Sequence, residues 1–142
     1  MLVGLLPTVA LAAEDETTSG TCGENVTWSY DAESKTLTIS GNGPMADYTN
    51  GTVDPAPWNG LEITNVVVQN GITKIGAFAF YDTTAENISL ADSVTTVGRS
   101  AFSRTRVTNT NFLTNNLTSI GKTVFQNCEE LTDAVWPTGC KA

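Results

Sequence analysis

The 142-residue chain contains no histidine. That absence removes the commonest general base near neutral pH and a frequent zinc ligand, so Ser-His, Cys-His and His-metal constellations fall away at the outset. Positive charge is also scarce. Seven Lys and Arg stand against fifteen Asp and Glu, for a formal net charge of -8 and a sequence pI near 4.2. A chain of that sign is repelled by nucleic-acid backbones and anionic membrane surfaces, so neither is expected as a partner. Charge of either sign is sparse at 15%, which argues against a disordered acidic tail. The apolar stretch Leu2–Leu11 is well short of the roughly 20 residues that cross a bilayer. The three cysteines, Cys22, Cys128 and Cys140, form no C-x-x-C pair, so a zinc or thiol-redox site is not indicated. Glu129 and Glu130 are adjacent rather than facing across a cleft, as a glycosidase pair would be. Asp47, Asp54, Asp82 and Asp92 lack calcium-loop spacing, and no phosphate loop is present. These absences point away from an enzyme and imply no cofactor and no metal.

What is present begins with an export signal. Ala10-Leu11-Ala12 has the small-x-small pattern that a signal peptidase accepts, and Glu14-Asp15-Glu16 follows at once. No Lys or Arg precedes the apolar run, so Met1 reads as an internal start and residues 1–12 as a partial signal peptide. The alternative is a buried N-terminal strand. The mature protein is expected to be secreted or displayed at the cell surface, without membrane insertion after cleavage. In that oxidising compartment Cys128 and Cys140 could be bridged if neighbouring coils stack; alternatively all three cysteines are small buried apolar side chains. Asn25, Asn50, Asn87 and Asn116 each begin an N-x-[ST] triplet, a pattern that arises readily in an Asn- and Thr-rich chain.

Internal repetition is the dominant signal. Ile75-Gly76-Ala77-Phe78-Ala79-Phe80 recurs as Val97-Gly98-Arg99-Ser100-Ala101-Phe102 and as Ile120-Gly121-Lys122-Thr123-Val124-Phe125. The glycines lie 22 and 23 residues apart, a period that belongs to leucine-rich-repeat solenoids. Apolar pairs with i, i+2 spacing keep step: Val66 and Val68, Ile88 and Leu90, Thr110 and Phe112, Ala134 and Trp136. That spacing sends both side chains to one face of a strand. Ile72, Val94 and Leu117 plug the turns between. Each glycine is expected to permit a tight bend or a positive φ, and a short helical turn through Ala79 or Ala101 to point the phenylalanine inward. One such unit cannot bury its apolar face alone, so neighbours must stack.

Residues 22–60 read as a β cap. Val26, Trp28 and Tyr30 alternate with polar residues, as do Leu37 and Ile39, and Asp31–Ser34 supplies the turn of a hairpin between them. The hairpin would cover the first strand edge of the stack, which otherwise invites aggregation. Trp28, Tyr48 and Trp58 either fill the core of this cap or form a sugar-stacking platform.

The period, the Ile-Gly-x-x-x-Phe element and the strand spacing resemble the BspA-type leucine-rich repeats of bacterial surface proteins. Cys22–Trp28, Lys35–Gly41, Met45–Tyr48 and Pro57-Trp58 resemble the capping module that often precedes such repeats. Thr83 and Thr105 depart from the pattern, standing where many copies carry the cysteine seen here as Cys128. The resemblance implies secretion or surface display, binding of host proteins or neighbouring cells, and no catalytic residues.

The expected architecture is therefore a mixed-β repeat solenoid with short helical turns, a leucine-rich-repeat arc behind an N-terminal β-hairpin cap. Residues 1–12 are the partial signal, 13–60 the capping module, 61–137 about three and a half repeats, and 138–142 a tail that reads as truncated. The leading function is a binding module for protein or cell adhesion. The candidate face is the outward row on the concave strand side: Asn65, Val67, Asn87, Ser89, Asn109, Asn111 and Asp133. Its partner is expected to be a protein or glycan on host or neighbouring cells, and the open C-terminal end could self-associate. The alternatives are a spacer within a larger surface protein or secreted enzyme, and an amide column that merely satisfies its own backbone. Arg99, Arg104 and Arg106 gather on one side and could meet an acidic partner or simply be solvated.

Overall fold

The computed structural model describes residues 18–50 and 53–136; the expected signal segment, Pro137, Cys140 and the tail lie outside them. A hairpin comes first. Strands β2 (Val26–Asp31) and β3 (Thr36–Gly41) pair antiparallel, with Trp28 opposite Ile39 and Tyr30 opposite Leu37. Strict alternation sends Val26, Trp28, Leu37 and Ile39 into the core. The turn is held by Asp31, whose carboxylate accepts the Glu33 amide at 3.1 Å and the Ser34 hydroxyl at 2.9 Å. A strand the residue pattern gave no sign of, β1 (Ser19–Gly23), pairs antiparallel with β2 and buries only Cys22.

The hairpin then continues into the repeats. β3 pairs in parallel with β5 (Asn65–Val68), and β5 with β7 (Asn87–Leu90), so that Leu37, Val66 and Ile88 stand in one row and Ile39, Val68 and Leu90 in another. A second sheet runs along another side of each coil, in the order β4 (Gly43–Pro44), β6 (Ile72–Ile75), β8 (Thr96–Val97), β9 (Ser119–Ile120). In it Ile75, Val97 and Ile120 line up, all buried. Ile72, Val94 and Leu117 close the corners between the two sheets and are fully buried, as the repeat requires.

The third side differs from expectation. The Gly-x-x-x-Phe segments are turns, and no helix occurs among the described residues. Each turn carries two left-handed residues four apart: Phe78 and Asp82, Ser100 and Arg104, Thr123 and Asn127, with φ between 54° and 62°. A right-handed helix cannot hold them. The amides that a helix would consume internally reach instead into the next coil. Phe78, Phe80 and Asp82 donate to the carbonyls of Arg99, Ala101 and Ser103 at 2.8–2.9 Å, and Ser100, Phe102 and Arg104 to those of Lys122, Val124 and Gln126 at 2.9–3.1 Å. The turns therefore form a third ladder along the stack.

That ladder explains the glycines, and not through positive φ. Gly76, Gly98 and Gly121 are absent from the left-handed residues. Their role is close approach. A Cβ on Gly98 would stand 2.6 Å from the Ala77 amide nitrogen, one on Gly121 2.5 Å from that of Arg99, and one on Gly76 would collide with the Ala46 carbonyl.

An aromatic column runs through the core. Trp58, Phe80, Phe102 and Phe125 stack with centroids 5.7, 5.5 and 5.9 Å apart. Trp58 thus takes, one coil earlier, the place of the repeat phenylalanine, and its indole N–H donates to the Ala79 carbonyl at 2.8 Å. Trp28 and Trp58 are 2% and 0% exposed, which rules out a sugar-stacking platform built on them. Thr83 and Thr105 donate to the Phe80 and Phe102 carbonyls at 2.8 Å, and the Cys128 thiol lies against the same column, donating to Phe102 O at 3.0 Å. Cys22 and Cys128 are both free thiols.

Order on the strand side fades toward the last coil. Val66, Val68, Leu90 and Thr110 are buried, but Ile88 and Phe112 are half-buried and Ala134 is exposed. The strand expected at Thr110–Phe112 is reduced to one bridge between Asn109 and Asp133. The reason is local. Asn109 Oδ1 accepts the Asn111 amide at 2.9 Å, and the chain turns instead of extending. The expected burial of Trp136 also fails. Among the described residues no strand follows the bridge, and Trp136 is 44% exposed beside Phe125.

Candidate functional site

The candidate face is built on β3, β5 and β7, whose buried rows leave the alternate residues outward. Asn65 and Asn87 are in register behind Thr36, and Val67 and Ser89 behind Thr38. The amides form a two-step ladder. Asn87 Nδ2 donates to Asn65 Oδ1 at 2.9 Å, and Asn65 Nδ2 reaches the Ser34 carbonyl and Thr36 Oγ1, both at 3.3 Å. This chain of donors orients both side chains before any partner arrives.

Beside the ladder lies an open depression lined by Thr36, Asn65, Val67, Asn87, Ile88 and Ser89. Its floor is aliphatic and its rim hydroxyl and amide. No charged side chain lines it, so contact here would rest on apolar burial and neutral hydrogen bonds. A second shallow depression brings Asn87 together with Glu86, Ile88, Asn109, Asn111 and Phe112.

Of the seven residues read from the sequence, four therefore form one surface: Asn65, Val67, Asn87 and Ser89. Asn109 and Asn111 line the neighbouring depression, but Asn109 is engaged locally, with Nδ2 on Thr108 Oγ1 at 3.4 Å and Oδ1 on the Asn111 amide. The expected four-rung column of Asn65, Asn87, Asn109 and Asp133 thus breaks after its second rung. Asp133 is exposed and bridges Asn109 only through the backbone. Thr36, Thr38 and Ile88 were missed as members of the face. The alternation of Leu37 and Ile39 carries the signal for the two threonines, since it fixes which hairpin residues point outward. Ile88 does stand in the inward row, in register with Val66, but is only half-buried there and so also borders the depression.

Elsewhere the titratable groups serve the fold. Asp47 Oδ1 accepts the Ala77 amide at 2.8 Å and pairs with Lys74 at 3.2 Å. The Ala77 amide, helped by Lys74, outweighs partial burial and holds the carboxyl below the usual carboxylate range. Burial pushes the Cys22 thiol up to about 12 and the Tyr48 phenol to about 12, so both stay neutral and unreactive at ordinary pH. Among the described residues no three Cys, Asp or Glu side chains gather into a metal site, and no helix is long and apolar enough to cross a membrane.

A family model described as a BspA type leucine-rich repeat region, in 6 copies, matches residues 55–142. Among solved structures, a leucine-rich repeat protein from Eubacterium ventriosum ATCC 27560 is similar at TM-score 0.58 and 24% identity. The likeness covers 87% of this chain and 41% of that one, and it shows the fold. A leucine rich cell surface protein from Faecalibacterium prausnitzii A2-165 gives TM-score 0.33 and 15% identity, over 85% of this chain and 55% of that one. The chain thus spans less than two thirds of the length of either. No curated protein matches it.

Proposed function

The chain belongs to the BspA-type leucine-rich-repeat family, and from that premise we propose that it is a non-catalytic binding module, secreted or held at a cell surface, that mediates protein or cell adhesion. In this reading the coils form a solenoid capped by the β1–β3 hairpin, and the partner, a protein or glycan on a host or neighbouring cell, docks on the β3–β5–β7 face. The observation that carries it is the pre-oriented Asn65–Asn87 amide pair beside the aliphatic depression of Val67 and Ile88. Polar groups fixed around apolar area are what a specific docking surface needs, because little side-chain freedom is lost on contact. The export pattern at Ala10-Leu11-Ala12 supports the location.

The spacer reading is favoured by one observation. The same amide pair is self-satisfied, and a ladder that bonds to itself needs no ligand. Beads carrying the protein, tested against immobilised extracellular-matrix proteins and cell-surface glycans, separate the two. Adhesion that falls at least tenfold in Asn87→Ala/Ser89→Ala supports docking on this face. Adhesion absent from the panel, or unchanged in the double variant, contradicts it and leaves the spacer.

A further inference from the structure

The third side of the stack carries an arrangement the strand face lacks. Of the cations among the described residues, Lys35, Lys74 and Arg104 are held by Glu62, Asp47 and Asp82 at 2.9–3.3 Å. Arg99, Arg106 and Lys122 make no ion pair among those residues. Arg106 borders Glu129 and Glu130 in a mixed-charge depression. Among the described residues no carboxylate lines the recess beside Arg99 and Lys122. Each follows the repeat glycine of its coil, so the two occupy the same place on adjacent turns, where the Ser100 amide donates to the Lys122 carbonyl at 3.0 Å. In a chain of net charge -8, two neighbouring cations without an ion pair leave a local positive patch.

A second observation concerns Phe78. It is a bulky residue held at φ 56°, where the equivalent positions carry Ser100 and Thr123. The turn ladder imposes the left-handed backbone at all three positions, so what sets Phe78 apart is the bulky ring it brings to this side of the stack. Its ring packs edge-on against Tyr81 at 5.3 Å, and the Arg99 guanidinium lies 5.4 Å above its centroid. Stacked there, Arg99 is pre-oriented, with edge donors available for a planar carboxylate.

These groups enclose an open depression of about 420 Å³ lined by Phe78, Tyr81, Arg99, Lys122, Thr123 and Gln126. That volume suits a small-ligand cleft. A folded protein partner needs about 800 Å² of surface on each side, far more than this recess offers. We propose that this recess binds the carboxylate-bearing sugars of an acidic glycan, with the carboxylate on Arg99 and Lys122, the apolar edge of the sugar on the Phe78–Tyr81 pair, and its hydroxyls toward Gln126. An acidic glycan combines these three chemistries; an acidic peptide offers the charge without the hydroxyls. The site lies on a different side of the coil from the β3–β5–β7 face and does not depend on it.

The test is calorimetric titration of the whole protein with a galacturonate trimer at low salt. Its neutral methyl ester and a hexaglutamate peptide serve as comparisons. The trimer binds and the ester does not. Arg99→Gln and Lys122→Gln each weaken binding about tenfold, the scale of one lost charged hydrogen bond. Lys122→Arg retains binding, and so does Asn87→Ala/Ser89→Ala, which separates this site from the strand face. The substituted residues lie on the surface, and unchanged melting curves establish that the variants fold. Failure of the trimer to bind, equal binding of the ester, or equal binding of hexaglutamate overturns the proposal; the last would assign the recess to an acidic peptide instead.

Discussion

β5 and the stretch 109–113 occupy the same place in the first and third repeats, with β7 between them, yet only the first is a strand. β5 lies between β3 and β7 and reads Asn-Val-Val-Val, with both inward valines buried. The later stretch reads Asn-Thr-Asn-Phe-Leu and makes one bridge. Valine stiffens the backbone toward the extended state, whereas asparagine offers its own oxygen to an amide two residues on. The turn side behaves differently, since its ladder continues undiminished from Phe78 to Gln126. Repeat identity is therefore carried by the glycine–phenylalanine turn, and the strand is the part a repeat can lose.

The largest break in this contrast is expected from the aromatic column. Phe102→Ala empties a fully buried site between two stacked rings and costs about 4 kcal/mol, whereas Phe125→Ala, half-buried near the fading end, costs about 2 kcal/mol. Urea unfolding of the two variants measures the difference, and equal losses would mean that the last coil is as well packed as the one before it. Next comes the turn ladder. Gly98→Ala drives a methyl group into the Ala77 backbone and costs about 3 kcal/mol, a clash that flexible side chains cannot relieve. Gly60→Ala faces open space at φ 94° and costs about 1 kcal/mol from backbone strain alone. Thermal melts that rank these two the other way would refute close approach as the reason for the repeat glycines.

A smaller change sharpens the comparison. Asn109→Val/Asn111→Val removes the local amide–oxygen turn and restores β-branched residues, which should extend the strand after Asn109 and add about 1 kcal/mol of stability. Circular dichroism and urea melts check both parts. The last effect shows itself only at alkaline pH. Cys22 and Tyr48 have folded-state values raised by burial to about 12, from ordinary values of 9.0 and 10.0. Their contribution is complete below pH 9 and is lost as pH climbs from there toward 12, because the unfolded chain releases these protons first. Stability measured between pH 8 and 12 should fall less steeply in Cys22→Ala than in the parent protein.

The repeat was legible because three physical demands coincide in sequence at one period: two inward strand residues, a corner plug and a phenylalanine for the column. The hairpin was legible from the alternation of Val26, Trp28, Leu37 and Ile39. β1 was not, because Ser-Gly-Thr-Cys-Gly has no apolar alternation and is held by main-chain pairing to β2. The turns read as helical because Ala and Phe at short spacing suit a helix. What decides the matter is the amide donation to the next coil, which is a property of the stack and is written in no single repeat. Trp58 escaped as the first member of the aromatic column because it lies outside the glycine–phenylalanine motif. The candidate face was half legible. Alternation placed Asn65, Val67, Asn87 and Ser89 correctly, but it carried the row on through Asn109, Asn111 and Asp133, where asparagine's local hydrogen bonding ends the strand.

The central claim is that the usable strand face ends with β7 while the turn ladder runs on. Native-state hydrogen exchange tests it residue by residue. The account predicts slow amides at Val66–Val68, Ser89, Ala91, Phe80 and Phe102, and fast ones at Asn111–Leu113, with Phe102 remaining slow although the strand beside it is lost. Protection at Asn111–Leu113 equal to that of β7 would show a continuous strand face through the third coil and contradict the account.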